Sequence, residues 1–294
     1  MGPRVAAGYI AMVLLWGSTW GAIKIGVANV PAHVFAFERA LTAAIILTAV
    51  ALVLRQSFPR SRVTIGATIL AGILNIGGSW ALIFWAEQFV PSGLVAVFGA
   101  MAPVWTAVLA HFYVRGDRLS VLKIAALGLG LAGTVVLVGA PTASEGPNAL
   151  AAMVMLAFMP LGWAVAAIIV TRVLPRESPI AVVGLQAWVG ALVLLPFALS
   201  EVGQPQHWDG GVAAAFWYLV IGGSCIALVL NTWLFRRLRP TTVTLSQVLI
   251  PTQALLIGGF VLGEAFSLRM LGGAALVVGA VLVNARAGPN TTQM

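Results

Sequence analysis

The tetrapeptide Ile76-Gly77-Gly78-Ser79 returns as Ile221-Gly222-Gly223-Ser224, and its surroundings return with it. Pro91 and Pro103 have counterparts in Pro240 and Pro251, and Gly116-Asp117-Arg118-Leu119-Ser120 has one in Gly263-Glu264-Ala265-Phe266-Ser267. The chain is therefore two copies of one unit, each obliged to fold to the same plan. Between the signatures lie long apolar runs. Hydrophobic residues make up 61% of the chain and charged ones 8%, whereas about a quarter of a soluble domain is charged. In hydrocarbon every backbone polar group must be satisfied internally, which leaves helices or a closed barrel, and runs without dyad alternation select helices. Cutting at charges, Pro and Gly gives ten spans of roughly 18 to 25 residues, enough to cross about 30 Å of hydrocarbon. They begin near Ala6, Ala32, Val63, Pro91, Ser120, Pro147, Ser178, Gly211, Thr241 and Ser267.

Residues 1–140 thus form a first five-helix repeat and 141–286 a second, with 287–294 a cytoplasmic tail, all in one membrane domain without room for a soluble one. Arg4 ahead of an apolar run imitates a signal peptide. The run is too long for that, ends at Lys24 without a small-residue cleavage pattern, and is needed as the first member of the repeat. Cys225, the single cysteine, lies inside a span and rules out an intrachain disulfide.

The net charge of +8 does not mark a nucleic-acid partner, because the basic residues are scattered one to three per loop. The positive-inside rule accounts for them. With both termini in the cytoplasm, only Lys24, Arg39 and Arg269 of the 16 basic residues fall at outer ends. Five helices per repeat is an odd number, so the second copy enters the membrane from the opposite side. The charges agree: Asp117 is flanked by Arg115, Arg118 and Lys123, whereas its counterpart Glu264 keeps only Arg269 nearby. The expectation is an all-α integral membrane protein of ten transmembrane helices as two inverted five-helix repeats. That architecture belongs to secondary transporters, with the substrate bound between the halves.

Leu15-Trp16-Gly17-Ser18-Thr19-Trp20-Gly21-Ala22-Ile23-Lys24, the Trp163-Ala164 pair, and Val248-Leu249-Ile250-Pro251 followed by Leu262-Gly263-Glu264 resemble the EamA-type branch of the drug/metabolite transporter superfamily. The resemblance covers all ten spans. Within that branch the sequence is similar to the YddG-type bacterial exporters of aromatic and other amino acids, which implies a central substrate cavity and a place in a bacterial inner membrane. The first copy departs from the pattern, carrying Asp117 where the second has Glu264. A carboxylate there that caps the next helix can be either residue.

Pro103 and Pro251 fall near the middle of spans four and nine, where each removes an amide donor and frees a carbonyl, of Gly99 and Gln247 respectively. They are read either as static kinks or as paired hinges at one depth. The Gly-Gly-Ser signatures allow close helix approach, and also smooth sliding. Ser79, with Asn75 four residues before it and Leu82 three after it on span three, and Trp217, Ile221 and Ser224 on span eight, would form mildly polar stripes facing a cavity. Several Trp lie well inside spans rather than at the headgroup level. Trp163 is the preferred ligand contact, because Pro160 and Gly162 loosen the helix beside it and the resemblance places this segment on the cavity. Met101, adaptable and apolar, and Gln247, polar and uncharged, join it.

Glu38, Arg39 and Lys24 are read as a local ion cluster ordering the outer helix ends. No carboxylate occupies the centre of a span, which favours facilitated diffusion over strict proton exchange. His33, His111 and His207 are solitary and near loops. No catalytic motif or metal cluster stands out, so neither enzyme nor cofactor is expected. The expected function is export of small metabolites, foremost aromatic or other apolar amino acids, by alternating access through a neutral, aromatic-lined cavity. Efflux of hydrophobic drugs is the alternative. A single chain suffices, with the lipid bilayer and a small molecule as its partners.

Overall fold

The computed structural model describes residues 1–90, 95, 98–138, 147–250, 253 and 268–286. Its elements are helices: α1 (Pro3–Val27), α2 (Ala32–Val53), α3 (Arg62–Ala86), α4 (Ala102–Tyr113), α5 (Val121–Val138), α6 (Pro147–Val173), α7 (Pro179–Ser200), α8 (Gly210–Phe235), α9 (Pro240–Thr244) and α10 (Leu268–Arg286). Among the described residues, α1, α2, α3, Asn148–Val173 of α6, α7 and α8 are long and apolar enough to cross a membrane, and shorter apolar stretches lie within α5 and α10. Starts follow local chemistry. Ser61 Oγ accepts the Thr64 N–H at 3.0 Å and Asp209 Oδ1 accepts that of Val212 at 2.8 Å. Both are side-chain caps on orphan amides.

Packing pairs the two copies. The most extensive contacts are α2 on α7 and α5 on α10, helices that hold the same place in their respective halves. Each pair runs antiparallel. At one end of the first, Glu201 just past α7 accepts the backbone N–H groups of His33 (2.8 Å) and Val34 (3.3 Å) and pairs with His33 Nδ1 at 2.5 Å. At the other end, Ser178 Oγ donates to Gln56 Oε1 at 2.8 Å. His33 is therefore not solitary; it is buried and stacks on Phe197 at 5.3 Å. Similarly α1 lies antiparallel along α8, with Tyr218 Oη donating to the Leu15 carbonyl (3.1 Å) and Trp233 beside Gly8.

The repeated Ile-Gly-Gly-Ser signature has one backbone form in both copies. Ile73–Gly78 within α3 and Leu219–Ile226 within α8 are π-helical. The serines support the widened turns, Ser79 Oγ donating to the Asn75 carbonyl and Ser224 Oγ to the Leu219 carbonyl five residues back, at 3.0 Å. The glycines accommodate close crossings. A Cβ on Gly77 would lie 2.7 Å from Val193, and one on Gly190 would lie 2.3 Å from Ile76, so α3 and α7 meet here almost backbone to backbone.

Pro103 begins a helix instead of bending one. A turn at Ala100 and Met101 interrupts the chain, and Pro103 occupies the first turn of α4, where its missing N–H would have had no partner. Pro91, Pro251, the Gly263-Glu264 turn and the 287–294 tail lie outside the described residues.

Asp117 follows Gly116, whose φ of +81° turns the chain in the left-handed region. The helix after it is capped by Ser120, whose Oγ accepts the Lys123 N–H at 3.3 Å. Asp117 is buried and reaches into the other copy, accepting from Thr241 Oγ1 (2.9 Å) and Thr241 N (3.2 Å) at the start of α9, while Lys123 Nζ pairs with its second oxygen. The capping expectation is corrected accordingly: the carboxylate caps a helix of the opposite half.

Candidate functional site

A cavity lies between the halves. Both copies wall it, and the space in which the centre of a water molecule can move is about 100 Å³. A single water needs roughly a tenth of that by the same kind of measure, so a small organic molecule can be held. Trp16, Trp20, Trp80 and Trp163, with Phe84 and Phe235, supply its aromatic surface. Its neutral polar groups are the amides of Asn75, Gln186, Asn231 and Gln247 and the hydroxyls of Thr19, Thr232, Thr244 and Ser246. Gln186, on α7, is buried and its Nε2 has no hydrogen-bond partner among the described residues, so the cavity holds a donor in want of an acceptor. Such a group costs free energy until something accepts from it.

The cavity is not neutral. Arg39 lines it, 4% exposed, with Nε donating to Ser224 Oγ at 3.0 Å and the guanidinium carbon 4.0 Å from the Trp80 ring centroid. Among the described residues no carboxylate forms an ion pair with it. The expected cluster of Glu38, Arg39 and Lys24 does not form: Lys24 Nζ donates to the Glu87 backbone carbonyl at 3.0 Å. Adjacent residues on a helix do not share a face, so Arg39 points inward while Glu38 remains partly exposed.

Of the residues singled out by sequence, Trp163, Gln247 and Asn75 line the cavity. Ser224 stands behind it, bound to Arg39. Met101 is adjacent to a lining residue, Ala102, without being one, and Ser79 and Leu82 are also outside the lining. Trp217 is 52% exposed on the outside of the bundle, as is neighbouring Ile221. The stripe extrapolated through Trp217, Ile221 and Ser224 assumed α-helical spacing, and the π-turns of Leu219–Ile226 rotate the later residue away from the earlier two. The residues that sequence reasoning missed, Arg39 and Gln186, were hidden for opposite reasons. One was explained away by an acidic neighbour, and the other sits in an apolar run without a motif.

Glu87 is the other unexpected group. It lies just past the end of α3, fully buried, with neither carboxylate oxygen hydrogen-bonded to a described residue. Burial pushes its carboxyl up to about 8, against the opposing pull of Lys24. An unfolded Glu ionises near about 4.3, so across the window between the two values unfolding releases a proton. Stability therefore falls as pH rises through that window and levels off above it. In detergent, the melting temperature of the wild type should drop relative to Glu87→Gln from about pH 5 to about pH 8. Parallel curves for the two proteins would contradict this reading of Glu87.

Comparison with known proteins fits the geometry. A solved crystal structure superposes with a TM-score of 0.77, covering 97% of this chain and 98% of its own, at 23% identity; that is a likeness of fold. Among relatives, the chain is 24% identical to the uncharacterized transporter YoaV of Bacillus subtilis, over 96% of each chain. It is 27% identical to a probable terminal-alkyne amino-acid exporter of Streptantibioticus cattleyicolor, over 94% of this chain and 92% of that one. It is 26% identical to a probable amino-acid metabolite efflux pump of Salmonella typhimurium, over 94% of each. The model of the EamA-like transporter family matches residues 5–139 and again residues 150–286, one stretch in each half. A multi-pass helical chain with a cavity between two like halves, it belongs to the EamA-like transporter family.

Proposed function

We propose that this transporter exports small metabolites, foremost aromatic or other apolar amino acids, by alternating access, with its two halves inverted in the membrane and the substrate held in the cavity between them. The observation that carries the reading is the cavity wall, which combines four indoles with four neutral amides drawn from both copies. Indoles hold an apolar side chain, and amides can serve both the ammonium and the carboxylate of a zwitterion. The antiparallel pairing of α2 with α7 and of α5 with α10 supports inversion, because corresponding helices then cross the membrane in opposite directions. The two relatives named for amino-acid or amino-acid metabolite export support the substrate class. Trp163 and Gln247 are assigned to substrate contact, and Ser224 to holding Arg39. Leu82, Ser79, Met101 and Trp217 have no such contact in this conformation. Pro103, at the break before α4, is assigned as one hinge, and Pro251 as its counterpart by the repeat. Both termini are placed in the cytoplasm, and the working unit is one chain.

The test is counterflow in proteoliposomes with a panel of labelled amino acids. An opposing amino-acid gradient alone should drive uptake, an imposed proton gradient should change the initial rate little, and hydrophobic cationic drugs should not compete. Strict dependence on the proton gradient, or competition by drugs and not by amino acids, would contradict the proposal.

A further inference from the structure

We infer that Arg39 is the carboxylate anchor of the cavity, so that its ligands must carry a free carboxylate and cationic molecules are rejected. The inference rests on the proposed binding role of the cavity and names the chemistry that the site selects. A guanidinium stays charged at any accessible pH, and placing one inside a membrane-embedded bundle without a counter-charge is costly. Arg39 is 4% exposed and lines the cavity. Its known partners in the fold are neutral: Ser224 Oγ at 3.0 Å from Nε, and the Trp80 ring at 4.0 Å. Those two contacts offset part of the cost and fix the plane of the group.

The remaining face of the fork is what a carboxylate needs. Both Nη nitrogens make no hydrogen bond to a described residue, and the planar arrangement of their N–H groups matches two carboxylate oxygens. Access depends on Gly223, where a Cβ would lie 3.0 Å from Arg39 Nη2 and 2.9 Å from Thr19 Cγ2. The second copy of the repeated signature thus clears the path by which an arginine of the first copy reaches the cavity. No other formally charged side chain is part of the cavity wall among the described residues. A ligand bearing one carboxylate would neutralise the site, whereas a cation would add to an uncompensated charge.

The four cavity indoles provide a binding signal independent of transport. Purified wild-type protein is titrated with L-alanine, L-leucine and L-phenylalanine, with the carboxamide of each, and with inorganic phosphate, following intrinsic tryptophan fluorescence. At least one free acid should give a saturable change that its carboxamide does not match within tenfold, and phosphate should not displace it. Arg39→Gln should weaken acid binding roughly tenfold to hundredfold, as expected for loss of charge-assisted hydrogen bonds, and Arg39→Lys should restore part of it. Equal binding of acid and amide by the wild type would overturn the inference even if the variants fail to fold. So would unchanged affinity in folded Arg39→Gln, silence of all three acids, or preference for phosphate. Acid binding through Arg39 without counterflow would sink the transport reading alone. Counterflow undiminished in Arg39→Gln would sink the anchor alone.

Discussion

Replacing Asp117 by Ala should destabilise the folded protein by about 3–5 kcal/mol, the usual cost of removing one partner from a buried ion pair. Lys123, 4% exposed, would keep its charge with only the Arg118 carbonyl, at 2.9 Å, to answer it. The Thr241 N–H and hydroxyl at the start of α9 would lose their acceptor too. Because the contact joins the halves, the loss should appear as cooperative melting at lower temperature, not as local fraying. Asp117→Asn should fall between, keeping an acceptor for Thr241 without neutralising Lys123. Thermal unfolding in detergent checks this, and an Asp117→Ala protein as stable as the wild type would show that the latch contributes nothing.

The second large effect concerns transport. Gln247→Ala should reduce rates across a whole amino-acid panel, because the groups an amide can reach, amino and carboxylate, are common to all members. One lost hydrogen bond to a charged group corresponds to roughly tenfold to hundredfold in affinity. Trp163→Ala should instead discriminate, weakening bulky apolar substrates more than small ones by removing stacking surface from the cavity wall. Initial rates over the panel, normalised to protein incorporated, separate the two patterns. Small and equal effects from both substitutions would move substrate contact to other parts of the wall.

Much of the fold was legible in the sequence because lipid imposes a coarse rule: long apolar runs must become helices. The α1, α2, α3, α6, α7 and α8 helices fall where charges, Pro and Gly divide those runs. The repeat was legible as well, since identical tetrapeptides need no structural model to be matched. What escaped depended on rotation about helix axes. Ser224 was identified but Trp217 and Ile221 were assigned to the wrong face, because nothing in Ile-Gly-Gly-Ser announces a π-turn. Arg39 looked like the partner of Glu38 because the two are adjacent, although adjacency places helical residues on different faces. For Asp117 only a local cap was considered, because helix starts are normally capped locally, whereas its bond to Thr241 joins residues far apart in the chain. Trp163, picked out by Pro160 and Gly162 beside it and by the resemblance, and Gln247, picked out as an uncharged amide near the centre of its span, both line the cavity.

The central claim, that the two halves face opposite ways around one site, is tested most directly by labelling equivalent loops. The connection between α2 and α3 holds Ser61, and the corresponding one between α7 and α8 holds Pro205; both residues are exposed. In a Cys225→Ser background, Pro205→Cys should react with an impermeant maleimide applied to intact cells, whereas Ser61→Cys should react only after the membrane is opened. Labelling of both positions from the same side would contradict the inverted arrangement and the alternating-access account built on it.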